Sequence, residues 1–137
     1  MSSYLTFYLK PKEQEKPLSL MSYSRADNVY QWYRDIINPV YIGNDENNPK
    51  YTELTDEMAQ SVVDAAEEKL SDSKRTLQLR IDACKELGLT EDDVDLVVST
   101  KEYIAKLEET TKELQFIANL VSDIEYSDFE KVLINID

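Results

Sequence analysis

A chain of 137 residues is the size of one domain, and folding at that length buries well over half of the unfolded surface, so one core is expected. Apolar residues make up 42% of it, and only two glycines and four prolines interrupt it, which excludes a disordered composition and favours long helices. The net charge of −13 is uneven, with 6 Lys+Arg against 7 Asp+Glu in residues 1–54 and 9 against 21 in residues 55–137; direct binding to nucleic acid or to an anionic membrane is disfavoured, because nothing concentrates the basic side chains that phosphate neutralisation requires.

The opening MSSYLTFYLKPK places its apolar part before its charge, the reverse of a secretory signal, and no segment reaches eighteen apolar residues. A cytoplasmic protein is expected. Within that opening, residues 4–9 alternate, with Leu5, Phe7 and Leu9 on one face and Tyr4, Thr6 and Tyr8 on the other, the pattern of a strand. PKEQEKP (11–17) is a charged connection, and LSLMSY (18–23) resumes the extended pattern, so the two predict a β-hairpin. Ser24, with Asp27 three residues on, is the expected start of a helix that runs to about Ile37 and stops before Pro39. At about 100° per residue, Val29, Tyr30, Trp32, Tyr33, Ile36 and Ile37 fall on one arc opposite Asp27, Asn28, Gln31, Arg34 and Asp35. This is an amphipathic helix facing a core, and Tyr30 and Trp32 at the arc's edges are expected to be half exposed.

Residues 38–50 read as a loop around a short strand, 40–42, with YTEL (51–54) as another strand. The run from Asn44 to Asn48 superficially resembles a calcium loop but lacks the central glycine and the closing glutamate, so a solvated turn is expected. From Thr55, as cap, a helical pattern runs to Leu87 with the stripe Ala59, Val63, Ala66, Leu70, Leu77, Ile81 and Cys84, and Gly88 stands where a left-handed C-cap belongs. Thr90 with Asp93 opens a second helix, through about Val121, with the stripe Val97, Ile104, Leu107, Thr111, Leu114, Ala118 and Val121. Its spacing alternates three and four for much of its length, as a coiled-coil seam does. The two predict an antiparallel hairpin with arms of about 32 residues, near 48 Å long at about 1.5 Å per residue. Glu102 with Lys106 and Glu108 with Lys112 are spaced as helix-stabilising pairs. Near the open end 114–121 is apolar almost all round, so it should be covered on several sides. In the tail DFEKVLINID, the alternation of Val132, Ile134 and Ile136 predicts a strand returning to the amino-terminal sheet.

The chemistry of a catalytic site is largely missing. There is no histidine, hence no usual general base or acyl-transfer triad. The single cysteine, Cys84, excludes an internal disulfide, cannot build a thiolate zinc site and sits in the helix stripe as a small buried hydrophobe. No phosphate-binding glycine loop or dinucleotide fingerprint occurs. Carboxylates cluster at Glu91, Asp92 and Asp93, and again at Asp123, Glu125 and Asp128; the first set is expected in the opening turn of a helix, where negative charge favours the dipole. Mimicry of DNA along the whole hairpin is disfavoured: a 48 Å duplex holds roughly 28 charges, whereas residues 56–122 hold 16 Asp+Glu and 8 Lys+Arg.

In outline the chain, with "PLSLMSYSR", "YIGN", "YTELT" and the terminal "DFEKVLINID" around a charged helical hairpin, resembles small acidic proteins of unknown function encoded by tailed bacteriophages. That resemblance implies a setting in which many small proteins disable a host enzyme or defence complex, such as a nucleic-acid-guided nuclease, while others are virion or assembly components. The expected fold is α+β, one domain in which a small antiparallel sheet and one short amphipathic helix (1–54 and 123–137) form a base for a long antiparallel helical hairpin (55–122). The expected function is a non-enzymatic protein-binding module without cofactor or metal. It would use an acidic tip of Glu86, Glu91, Asp92, Asp93 and Asp95 against a basic surface on a host or phage protein. Two alternatives stand beside it: self-association through the hairpin, with Leu79 pointing away from the seam, and a small-molecule or nucleotide site lined by Tyr30, Trp32 and Tyr33 with Arg25 or Arg34 for an anion.

Overall fold

The structure, a computed structural model, describes residues 3–36, 44–45, 48–49 and 51–137. The expected strand at 40–42 and the helix end near Ile37 lie outside the described residues. Contacts divide the chain into two compact units, Met1–Val62 with Ile117–Asp137, and Val63–Phe116.

The first unit is built on a four-stranded antiparallel sheet. β1 (Tyr4–Pro11) and β2 (Leu18–Ser24) pair as the alternation predicts, and β6 (Phe129–Ile136) lies on the other side of β1. β5 (Thr52–Glu53) adds a short edge to β6, giving the order β2-β1-β6-β5. Between them in sequence, β3 (Asn44–Asp45) and β4 (Asn48–Pro49) form a separate two-stranded ladder. Register places Leu5 opposite Ile136, Phe7 opposite Ile134 and Leu9 opposite Val132, so one face of the two central strands is continuously apolar. β6 is more buried than its alternation predicts: Leu133 and Asn135 are enclosed as well as Val132, Ile134 and Ile136. Phe7 faces Met21 and Tyr8 faces Ser19, which leaves Leu20 as the extra residue of a bulge on the edge strand β2.

α1 (Asn28–Ile36) supplies Val29, Tyr30 and Tyr33 to the core. Its start differs from the expectation. Ser24 does not cap the helix; it ends β2, and the Asp27 carboxylate accepts from both the amide and the hydroxyl of Ser24 at 3.2 and 3.3 Å. The Asp27 amide in turn donates to the Ser24 carbonyl at 3.0 Å. A turn therefore occupies the first positions assigned to the helix, because a short polar side chain satisfies backbone donors more cheaply there than a helical turn does.

The second unit contains most of two long helices, α2 (Asp56–Glu86) and α3 (Asp95–Ser122), which pack together. Thr55 caps α2 as expected, its hydroxyl accepting from the Met58 amide at 3.2 Å. Lys74 bridges to Glu108 at 3.4 Å and the Arg80 guanidinium donates to the Thr100 hydroxyl, so numbering descends along α3 as it rises along α2. Glu108 thus pairs across the helices and not with Lys112. The seam is unequally buried: Val97, Ile104 and Leu107 of α3 are enclosed, whereas Leu70, Leu77 and Ile81 of α2 remain half-buried. Phe116 is 53% exposed, so the apolar run 114–121 is not covered on all sides. No described helix is long and apolar enough to cross a membrane.

Candidate functional site

The end of the second unit at Gly88 gathers the acidic residues. α2 stops because the Leu89 amide donates back to the Cys84 carbonyl at 2.9 Å and the Gly88 amide to Lys85 at 3.2 Å, the paired bonds of a Schellman closure. That closure needs a residue in the left-handed region, and Gly88 sits there at φ 69. A Cβ at Gly88 would meet nothing within 4 Å. Gly88→Ala should therefore cost only the backbone penalty, about 1–2 kcal/mol, measured by chemical denaturation, and Gly88→Asn should lose less. An unchanged midpoint for the alanine variant would show that the closure contributes nothing.

Beyond Gly88 the sequence expectation needs correction. Glu91, Asp92 and Asp93 do not open the long helix; they form a separate 3-10 turn (Glu91–Asp93), Val94 is extended, and α3 begins at Asp95. Thr90 is extended and its hydroxyl makes no capping bond, so the Thr90 and Asp93 pattern marked the turn and not the helix. Lys101 reaches back to Glu91 at 3.4 Å and Asp92 at 3.9 Å. Such exposed pairs contribute little to stability, yet they remove part of the local negative charge. Glu86, Asp92, Asp93 and Asp95 are exposed and Glu91 is half-buried.

Sequence reasoning missed the apolar half of this end. Leu87, Leu89 and Leu96 are 73%, 52% and 54% exposed. All three fall outside the seam spacing, and that was the available signal. Five carboxylates, the basic residues Lys85 and Lys101, and three open leucines share a stretch of seventeen residues closed by a fixed turn. The arrangement offers both charge and apolar area.

The aromatic set behaves otherwise. Tyr30 and Tyr33 are 2% and 1% exposed, which overturns the half-exposed edge expected at Tyr30. The Tyr30 hydroxyl donates to the Asp137 carbonyl at 2.8 Å, so a full aromatic body can be buried without an orphaned hydroxyl. Tyr33 packs edge-on to Phe7, centroids 5.3 Å apart, and burial pushes its phenol far above the usual tyrosine range. Trp32 is half-buried, while Arg25 and Arg34 are exposed. Rings already committed to the core leave only Trp32 and the two arginines to meet a ligand.

A second feature missed by sequence reasoning is a polar groove of about 350 Å³ between α2 and α3, lined by Lys69, Asp72, Ser73, Thr76, Arg80, Ser99, Thr100 and Tyr103. Its signal was the gap in the α2 stripe between Leu70 and Leu77, where Ser73 takes the seam position. Among the described residues, no group of three or more His, Cys, Asp or Glu side chains is placed to hold a metal ion. Comparison with protein-family models, with curated proteins and with solved structures finds no match to the chain.

Proposed function

We propose that α2 and α3 act as one antiparallel helical hairpin whose bend at Gly88 is the docking element of a non-enzymatic protein-binding module. The carrying observation is the exposure of Leu87, Leu89 and Leu96 among the carboxylates of Glu86, Glu91, Asp92, Asp93 and Asp95. Apolar side chains left in water lose their hydration cost when a partner covers them, at about 25 cal/mol per Å², while the surrounding charge selects a basic partner and speeds encounter. The resemblance to small acidic phage proteins supplies the setting: the partner is a host or defence protein with a basic surface, and covering that surface inhibits it. A nuclease that grips its guide or target through lysine and arginine presents such a surface.

The test is capture of partners from host lysate by the wild-type chain and by two variants. One carries Glu91→Lys, Asp92→Lys and Asp93→Lys; the other carries Leu87→Ser and Leu96→Ser. Each is expected to weaken capture roughly tenfold or more, equivalent to about 1.4 kcal/mol. Capture by the wild type should also fall at about 1 M salt, where screening acts over about 3 Å. Capture indifferent to both variants and to salt would overturn the proposal. A concentration-dependent dimer abolished by Leu79→Ser would favour self-association instead, since Leu79 is 66% exposed.

A further inference from the structure

We propose that the groove between α2 and α3 binds a small polyphosphate, such as the diphosphate or triphosphate end of a nucleotide, through Arg80, Lys69 and the hydroxyls between them. The site is separate from the acidic bend and does not depend on its function.

The argument begins with periodicity. At about 100° per residue, Lys69, Ser73, Thr76 and Arg80 lie within an arc of about 60° on α2, a polar stripe where the seam on either side is apolar. Facing it, α3 contributes Ser99, Thr100 and Tyr103. The charge is equally local: residues 69–80 hold four Lys+Arg and one Asp, inside a stretch, 56–122, where acids outnumber bases two to one. Asp72 is the carboxylate in the lining, and Arg75 holds it at 3.1 Å; Lys74 is engaged by Glu108. Lys69 and Arg80 are the cations that remain.

Arg80 carries the case furthest. It is half-buried, and no carboxylate lies within 4.0 Å of it among the described residues. Its guanidinium is nonetheless fixed, because one donor goes to the Thr100 hydroxyl and that hydroxyl donates to the Leu96 carbonyl at 2.6 Å. An arginine has five N–H donors, so most remain for another acceptor. A cation drawn partly out of water without a counter-ion is unfavourable until an anion joins it. The Ser99 and Thr100 hydroxyls both donate to the Leu96 carbonyl, so the hydroxyls that would serve an anion are those of Ser73 and Thr76. An oriented guanidinium beside them is suited to phosphoryl oxygens, which accept several charge-assisted bonds at once.

The length of the site selects the class of anion. Lys69 and Arg80 are three turns apart, about 16 Å along the axis at about 1.5 Å per residue, too far for one phosphate to meet both side chains. A longer anion lying along the stripe can meet both where the two long side chains reach inward toward it. A volume of about 350 Å³ lies at the lower end of the range for small-ligand sites, about 300–1,000 Å³.

The experiment is a titration of the full chain with inorganic tripolyphosphate, followed by backbone amide shifts at physiological salt. Saturable shifts confined to residues 69–80 and 96–103 are expected. Arg80→Met and Lys69→Met should each raise the Kd at least tenfold, and Lys85→Met, farther along α2, should not. Lys69 is exposed, so its variant keeps the test decisive even where Arg80→Met disturbs packing. A nucleoside triphosphate should shift the same amides. Absence of shifts, shifts shared equally by all lysine-bearing segments, or an unchanged Kd in Lys69→Met would overturn the proposal. So would a nucleoside triphosphate that binds while tripolyphosphate does not, or a DNA oligonucleotide that binds these residues more tightly than either.

Discussion

Replacing Phe7 with alanine is expected to destabilise the first unit by about 3–5 kcal/mol, a large part of the 5–15 kcal/mol typical of a whole domain. Phe7 is completely buried at the middle of β1, beside Met21 on β2 and Ile134 on β6. Its ring meets Tyr23 and Tyr33 edge-on, with centroids 6.1 and 5.3 Å away, and each such pair adds about 0.5–1.5 kcal/mol beyond the area buried. Truncation removes the transfer energy and both ring contacts, and leaves a cavity between strands and helix that neither can close without moving. Phe7→Leu keeps most of the volume and should cost less than half as much. The measurement is guanidinium denaturation read at two probes: Trp32, the only tryptophan, which lies in the first unit, and the far-ultraviolet helical signal, dominated by α2 and α3. The Trp32 transition must move to lower denaturant. A loss below about 1 kcal/mol would mean that the apolar face is not centred on Phe7.

The second large effect is alkaline. Burial raises the Tyr33 phenol above its ordinary value of 10.0 in the folded chain, so the unfolded chain releases this proton first as pH rises. Above about pH 10 the folded state holds more protons than the unfolded one, and stability falls with pH at up to about 1.4 kcal/mol per unit. The contribution is fully present below pH 10 and is lost through the window above it. Tyr33→Phe removes the titrating group while keeping the ring against Phe7, and should flatten the stability profile in that window by the amount one phenol supplies. Ultraviolet absorbance of tyrosinate provides the check: one of the nine tyrosines should ionise only together with unfolding. Equal alkaline loss in wild type and Tyr33→Phe would sink the assignment.

Where one period dominated a segment, the sequence was sufficient. Alternation placed β1, β2 and β6, and the apolar stripes placed the two long helices α2 and α3, with Gly88 closing the first of them, because those patterns answer to a single neighbouring layer. What eluded it depended on competition or on two layers at once. At Ser24 and Thr90 the same cap signature was written over turns, since a side chain that satisfies a helix amide satisfies a turn amide equally well. β6 buries Leu133 and Asn135 on the face that alternation assigns to solvent, which no single-strand pattern reveals. In the site, the acidic residues are visible as composition, whereas Leu87, Leu89 and Leu96 lie outside the seam spacing, and periodicity alone assigns them no role. The Arg80 groove appears only when Thr100 of the other helix is brought opposite it. Tyr30 was misplaced because its aromatic body and its hydroxyl ask for different environments, and only the Asp137 carbonyl resolves the conflict.

The pairing of β1 with β6 also bears on the order of events during synthesis. Tyr4 and Asp137 bond to each other across a separation of 133 positions, so the sheet's central ladder cannot close on the ribosome until the far segment has emerged. Until then β1 and β2 stand as a lone two-stranded ribbon, marginal in water, with Leu5 and Phe7 exposed. Residues 63–116, by contrast, make contacts within one continuous stretch and need no such wait, since nearby partners close cheaply. The nascent chain thus holds its stickiest strand idle for longest, and refolding yield should decline with protein concentration even where the finished fold is stable.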